Sequence, residues 1–482
     1  MKNFNKCDYD VVIIGGGISG LICGCYLAKR GVNTLIVEKN ISPGGYCASF
    51  VRQGFFFDAC VCSLSGCGKD GSLQRIIQEL DLKNDLEFIN YEIRDIVITP
   101  NYKVNLYGSV GKTIGELQRY FPKQEKAIKK FFEKILFSPI TSLSKMRNTS
   151  FKNNLDFYFT NEELKTILSI VLLGYTGVPP SRLSTLAAYL LYRDFIFDGG
   201  YYPLGGMQKF SNALANKFSE FGGTVTLATM VKKIILEDNI ARGVILESGK
   251  SIFSKVVIAA CDLHETFHSL IDATKVPKTI SNRIHTRETS LSAFLVYLGI
   301  SKDLDNLPDL KSHIWIINNN YNNIEKIYTN LLNKEYDYIG ITSSSVKNNS
   351  FLDKRSTKES LFLFVNMPFV NERFWNENKK NVISGKMIKL AERLLPDITE
   401  HIKIKIIATP FTLFKSTLNY KGSAYGWADT TTQFCDPNFS QKTKIKNLYL
   451  TGHWLNRSSG VSPAAYSGIE TAKILLGEIF KI

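Results

Sequence analysis

Asp10-Val-Val-Ile-Ile-Gly-Gly-Gly-Ile-Ser-Gly20 is the stretch on which the fold turns. The β-branched run 11–14 predicts a short buried strand, and glycines spaced Gly15-x-Gly17-x-x-Gly20 follow it directly. Residues 21–30 have helical spacing with small side chains, and Gly31 stops the helix. A second apolar strand, 33–38, ends in Glu38. Strand, glycine turn, helix and strand make one βαβ unit, and such units imply a parallel sheet. The turn has the layout of a dinucleotide fingerprint. The first glycine allows a tight turn, the second lets a pyrophosphate approach the backbone, and the third lets helix and strand pack closely. The helix N-terminus then offers free N–H groups and a positive dipole end to phosphates. Glu38 falls 18 residues after Gly20, where a carboxylate can accept from both ribose hydroxyls and repels a 2′-phosphate. Gly44 and Gly45 follow closely enough to let the chain fold over the same pyrophosphate.

Outward from this unit the texture changes. Residues 111–154 carry ten Lys/Arg against three Glu, a local charge of +7, with Phe121, Phe131, Phe132, Ile135, Leu136 and Phe137 interleaved. Two apolar helices are expected at 163–174 and 182–197 around the turn Gly177-Val-Pro-Pro180. Tyr201-Tyr-Pro-Leu-Gly-Gly-Met207 opens a new unit: a helix at 208–221, then strands at 224–227, 231–236, 244–246 and 255–260. Residues 263–404 mix strands at 291–299 and 361–366 with a helix at 383–395, and 318–323 and 347–358 read as polar loops. Asn447-Leu-Tyr-Leu-Thr-Gly452 is again a strand and glycine turn, leading into a helix at 464–480.

The whole chain agrees with an ordinary globular protein. Its 482 residues suggest two or three domains and a core that needs no staples. A composition of 44% hydrophobic and 21% charged residues excludes a disordered or coiled-coil chain. The formal charge of +15 favours an anionic partner: a phosphate cofactor or an anionic membrane face. No nucleic-acid module is present, so nucleic acid is not expected. Seven of nine cysteines fall in the first 67 residues, which is no disulfide framework at this length. The polar start and the lack of an 18-residue apolar stretch predict a cytoplasmic chain with free thiols and no spanning helix.

The 15–20 turn, Glu38, Gly44-Gly45 and Phe57-Asp58 resemble the N-terminal half of a flavoprotein family. It comprises phytoene desaturases, carotenoid isomerases and retinol saturases, more distantly related to amine oxidases. The 201–207 block with Ala213-Leu214 and Gly222-Gly223 resembles the family's middle block. The 447–452 block with Gly460-Val461 and Ala464-x-x-Ser-Gly468 resembles its C-terminal flavin block. Together these cover roughly residues 1–70, 200–262 and 415–482. The resemblance implies FAD as cofactor. Gly15, Gly17, Ser19, Gly20, Glu38 and Lys39 would hold its ADP half, with Gly44 and Gly45 over the pyrophosphate. Val231 would lie at the adenine, and Gly452 and Val461 at the isoalloxazine and ribityl chain. Three departures stand out: Tyr46 where many members have a basic residue, Cys60 where Gly is frequent, and Arg457-Ser458-Ser459 where desaturases show Pro and glycines.

The expected fold is therefore α/β and glutathione-reductase-like. A discontinuous FAD-binding Rossmann domain takes 1–110, 200–270 and 405–482. A substrate domain takes 111–199 and 271–404, with a β-sheet floor and a helical cap at 111–199. The expected function is FAD-dependent hydride transfer, to or from flavin N5, on a small apolar molecule by desaturation, saturation or isomerisation of C=C bonds. An amine or specialised-metabolite oxidase is the runner-up, and a non-catalytic prenyl-binding protein like the GDP dissociation inhibitors is the third reading.

No acid–base constellation is evident, and the catalytic candidates are His453, Tyr420 and Cys60. His453 follows Gly452 and stands either at the flavin edge or packed in the core. Tyr420, with Tyr425 and Trp427, lies in a segment that either walls an apolar channel or packs as a domain seam. Cys60, Cys62 and Cys67 lack the paired C-x-x-C knuckles of a zinc site, so no metal is expected; they are plain thiols, or Cys60 touches substrate. His264 and His268, spaced i, i+4 without a third ligand, read as solvated. The basic cap is either a solvated helix face or a peripheral contact with an anionic membrane surface.

Overall fold

The computed structural model describes residues 7–304, 306–347, 358–436, 439–455 and 460–481. Two seven-stranded sheets organise the chain. In the first, Tyr9–Ile14 lies between Ser251–Ala259 and Thr34–Val37 and runs parallel to both, with Val12 opposite Val257 and Leu35. Thr224–Thr226 continues the parallel array beyond Thr34–Val37, and Leu448–Leu450 joins parallel to Ser251–Ala259. Val231–Glu237 and Ile240–Leu246 extend it as antiparallel strands. Val11, Val12 and Ile13 are fully buried, as a parallel strand covered on both faces requires.

The helix after the glycine turn, Ile18–Ala28, packs against Met207–Glu220 and Val461–Leu475. The last contact is unusually close. A Cβ on Gly468 would lie 2.5 Å from the Ser19 carbonyl oxygen, so only glycine lets the two helices approach there.

The second sheet runs in the order Ile402–Ala408, Ser292–Ile300, Glu359–Met367, Tyr338–Thr342, His313–Ile317, Ile93–Ile98, Lys103–Tyr107. Its pairings are antiparallel except that of His313–Ile317 with Ile93–Ile98. This corrects the expected division of the chain. Residues 93–107 lie within the 1–110 segment assigned to the dinucleotide unit, and Ile402–Ala408 runs across its 405 boundary, yet both belong to the second sheet. The reason is non-local: Trp315 pairs with Val97 across more than two hundred residues, a contact that local pattern does not encode.

The cap consists of Val110–Tyr120, Glu125–Phe137, Phe151–Tyr158, Glu162–Thr176 and Thr185–Leu191. Asn161 starts the fourth of these by accepting from the Leu164 N–H, and Gly177 ends it at φ +67°. Phe131, Phe132, Phe151 and Tyr192 are fully buried in one core shared with the second sheet. Helix Glu162–Thr176 buries nearly every residue, so the apolar helices expected here face inward rather than outward. The cap exposes Phe137 (79%), Ile140 (54%) and Phe157 (81%), and Lys126, Lys129 and Lys130 of the same cap are exposed too. Among the described residues no helix is long and apolar enough to cross a membrane. Arg457, Ser458 and Ser459, and most of the expected loop 347–358, lie outside the described residues.

Candidate active site

At the carboxyl ends of the parallel strands a cavity opens with about 2020 Å3 of atom-free space, counting its mouth. Its lining runs from the glycine turns of the first sheet to side chains of the cap and the second sheet. Parallel sheets place ligands here because loops diverge from the strand ends and helix N-termini point in.

Gly15, Gly17, Ser19, Glu38, Lys39, Gly44, Gly45, Val231, Gly452 and Val461 all line this one cavity. Gly15 leaves its strand at φ +106°, its N–H donating to the Val37 carbonyl at 2.9 Å. Gly17 precedes helix Ile18–Ala28, and a Cβ built on it meets no atom within 4 Å. That open space is a cradle a side chain would fill, as a backbone-to-pyrophosphate approach requires. The Gly44 N–H donates to the Gly16 carbonyl at 2.8 Å, which folds the second glycine loop onto the first. Glu38 is buried. Its Oε2 accepts from the Gly16 N–H at 2.7 Å and its Oε1 from the Asn40 N–H at 2.8 Å, fixing the carboxylate at the cavity wall. Lys39 donates to the Lys415 carbonyl, and burial lowers its pKa. From the C-terminal block, the Gly452 N–H donates to Ser467 Oγ at 2.9 Å, and Val461 opens helix Val461–Leu475 at the cavity. A second helix N-terminus is thus aimed at the same space.

Gly20 is the exception among the expected binding residues. It is absent from the cavity wall and instead packs under the turn, where a Cβ would lie 2.2 Å from the Gly15 carbonyl oxygen. Its role is to let helix and strand close up.

The catalytic candidates divide. His453 lines the cavity, with its ring against Trp454 at 5.3 Å between centroids. Its Nε2 has no hydrogen-bond partner, and burial lowers its pKa to about 4, so the ring is neutral at neutral pH. Cys60 lines the cavity too, and burial pushes its thiol up to about 12. Tyr420 does not line it. The tyrosine is 37% exposed and stacks on His264 at 3.7 Å, so it is removed from the candidates. The same stack corrects the reading of His264 as solvated. It is buried beneath Tyr420, while His268 stacks on His285 at 4.8 Å. A ring brought in from 156 residues away covers a face that i, i+4 spacing alone leaves open. Tyr425, not Tyr420, reaches the cavity, with its hydroxyl donating to the Gly174 carbonyl at 2.6 Å.

Burial also raises the thiol pKa of Cys47, Cys62 and Cys67. Protonated thiols are poor nucleophiles. Iodoacetamide is therefore expected to label Cys47, Cys60, Cys62 and Cys67 far more slowly in native protein than in urea. Native labelling of Cys60 at the unfolded rate would reveal an activated thiol instead.

Opposite the glycine turns the wall is apolar: Tyr175, Leu191 and Phe195 from the cap, with Leu295, Phe362 and Phe364 from the second sheet. Sequence reasoning missed these, and missed His313 among them. The signal available was a histidine at the head of the otherwise apolar strand His313–Ile317.

A two-sheet fold with its cavity at the carboxyl ends of a parallel array, glycine turns on one side and apolar residues on the other, is that of flavin-dependent oxidoreductases. The family of flavin containing amine oxidoreductases matches residues 18–476, and the chain belongs to it. It is an FAD-dependent oxidoreductase, and this membership sets aside the non-catalytic prenyl-binding reading. Prolycopene isomerase 2, chloroplastic, of an Oncidium hybrid cultivar is 25% identical over 96% of this chain and 83% of its own. A 4,4'-diapophytoene desaturase (4,4'-diapolycopene-forming) of a Methylomonas species is 25% identical over 96% and 94%. The crystal structure of an oxidoreductase from Methanosarcina mazei superposes with a TM-score of 0.69 at 16% identity, covering 96% of this chain and 99% of that one, a likeness of fold.

Proposed function

We propose that this oxidoreductase acts on the C=C bonds of an apolar chain by hydride transfer. The observation that carries the reading is the continuity of one cavity from the glycine turns to the apolar wall of the second sheet and cap. Glu38 would hold the ribose, Gly17, Ser19 and the N-terminus of Ile18–Ala28 the pyrophosphate, and Val231 the adenine. Gly452 and Val461 would lie along the ribityl chain and the ring. When bound, FAD supplies a hydride acceptor or donor at N5. The protein's part is to orient the chain, exclude water and offer uncharged groups at the reacting end. His453 is neutral and Cys60 protonated at neutral pH, so neither holds a charge at the cavity wall, and the proton that a desaturation gives up alongside the hydride would pass to solvent. Similarity to an isomerase and a desaturase of carotenoid chains supports the substrate class.

The amine reading has less support. Among the described residues the cavity wall carries two carboxylates, Glu38 and Glu265, both beside the strands of the first sheet. The apolar side offers an ammonium no counter-ion. Anaerobic mixing of the FAD-loaded protein with a carotenoid polyene, its more saturated precursor, or a primary amine separates the readings. Flavin reduction by the saturated carotenoid, or oxidation of reduced flavin by the polyene, is expected. Reduction by the amine alone would overturn the proposal. For the cofactor residues, Glu38→Ala is expected to weaken FAD binding about tenfold or more, a charge-assisted hydrogen bond being worth about 1.5–3 kcal/mol. Unchanged affinity by fluorescence titration would remove Glu38 from the ribose.

The cap is proposed to rest on an anionic membrane surface, which would deliver such a substrate without a passage through water. Exposed Phe137, Ile140 and Phe157 on a cap that also exposes lysines favour this contact over a purely solvated face. Flotation with anionic vesicles at low salt is expected. The electrostatic part, about 1 kcal/mol per basic residue, should fade with salt, and Phe137→Ser with Phe157→Ser should remove what persists. No flotation at low salt would reject the contact.

A further inference from the structure

His313 opens a strand buried throughout its length and is itself 6% exposed. It belongs to the second sheet, pairing in register with Asp95, and it lines the cavity on the side away from the glycine turns. Its ring meets Tyr175 edge-on at 5.7 Å and Phe364 at 6.3 Å. Neither Nδ1 nor Nε2 has a hydrogen-bond partner. The polar groups around it are paired. The Tyr175 hydroxyl and Trp315 Nε1 both donate to Asp95 Oδ1 at 2.7 Å, and Lys347 Nζ donates to the Cys62 carbonyl at 2.7 Å. An imidazole with two unmade hydrogen bonds in so well-paired a neighbourhood costs free energy that an apolar residue would not.

We propose that His313 is the polar anchor of the substrate site and takes the hydroxyl oxygen at one end of an otherwise apolar chain. Burial, and next the nearby Lys347 ammonium, hold the imidazole neutral. One ring nitrogen therefore donates and the other accepts. A hydroxyl can accept from the one or donate to the other, bonding whichever nitrogen it meets. A hydrocarbon can do neither, and a carboxylate can only accept. Because His313 stands on the second sheet and the glycine turns on the first, a chain anchored there extends toward the flavin. The anchor rests on the apolar-chain reading of the cavity and adds an oxygen to it.

The test uses the FAD-loaded protein, geranylgeraniol, and the hydrocarbon of the same skeleton lacking the hydroxyl, with binding read from the perturbation of the flavin spectrum. Native protein should bind the alcohol about tenfold or more tightly than the hydrocarbon, since a site built to hydrogen-bond a hydroxyl rejects its isostere. His313→Leu should lower alcohol affinity to the hydrocarbon's level and leave hydrocarbon binding and flavin content unchanged. Its thermal midpoint should hold or rise, because it removes an unsatisfied buried group. His313→Gln keeps a donor and an acceptor and should restore part of the preference. Equal binding of both chains by native protein, or an alcohol preference surviving in His313→Leu, would overturn the anchor alone. Failure of flavin-loaded native protein to bind either chain would overturn the apolar-chain reading and the anchor with it.

Discussion

A Gly17→Val protein is expected to fold and to purify without flavin. Gly17 has φ −71° and ψ 174°, extended backbone that a β-branched residue adopts readily. Its Cβ direction is empty to 4 Å, so the added Cβ itself meets no protein atom. Losing glycine at a helix N-cap costs about 1 kcal/mol, small against the roughly 5–15 kcal/mol that holds a domain together. The valine methyls would instead occupy the mouth of helix Ile18–Ala28, where a pyrophosphate must reach the backbone N–H groups. The expected result is a native-like circular dichroism spectrum, a midpoint within a few degrees of the parent, and bound FAD below about a tenth of the full complement. A folded variant carrying its full flavin would show that the turn does not face the cofactor.

Gly20→Val should fail in the opposite way. Its Cβ would sit 2.2 Å from the Gly15 carbonyl oxygen and 3.2 Å from the Ala260 Cβ. Neither neighbour can give: the Gly15 N–H is bonded to Val37, and the Ala260 N–H to Ile14 at 2.9 Å. Relief therefore requires parting the helix from the sheet, which exceeds the about 1–3 kcal/mol of ordinary overpacking. The variant is expected to be insoluble, or to melt far below the parent with or without added FAD. A Gly20→Val protein with the parent's midpoint would refute the close packing of helix on strand. Two glycines three residues apart thus stand differently, one lining the cavity and one facing the sheet. The fingerprint reading assigns them these two roles, and the positions of their missing Cβ atoms agree with it.

The parts legible beforehand are those whose causes are local. A β-branched run, a glycine turn and a small-residue helix specify a buried parallel strand and its crossover. Glu38 ends the next strand because the turn and helix between have a fixed length. Gly452 and Val461 repeat the same strand-to-helix logic at the far end of the chain. For these the sequence alone determined a glycine-lined cavity wall and the helices that open onto it.

What tertiary structure decided is what depends on which distant faces meet. Pairing of Ile93–Ile98 with His313–Ile317 moved residues 93–107 into the second sheet. The chain crossing at 420 covered His264 and took Tyr420 out of the cavity while Tyr425 stayed in it. Burial of Glu162–Thr176 turned the cap's apolar helices inward and left Phe137, Ile140 and Phe157 outside. His313 became distinctive only when the packing around it left both ring nitrogens unpaired in an apolar chamber. Periodicity and turn chemistry act over a few residues. Burial and hydrogen-bond satisfaction are properties of the assembled neighbourhood, where residues hundreds of positions apart become each other's solvent.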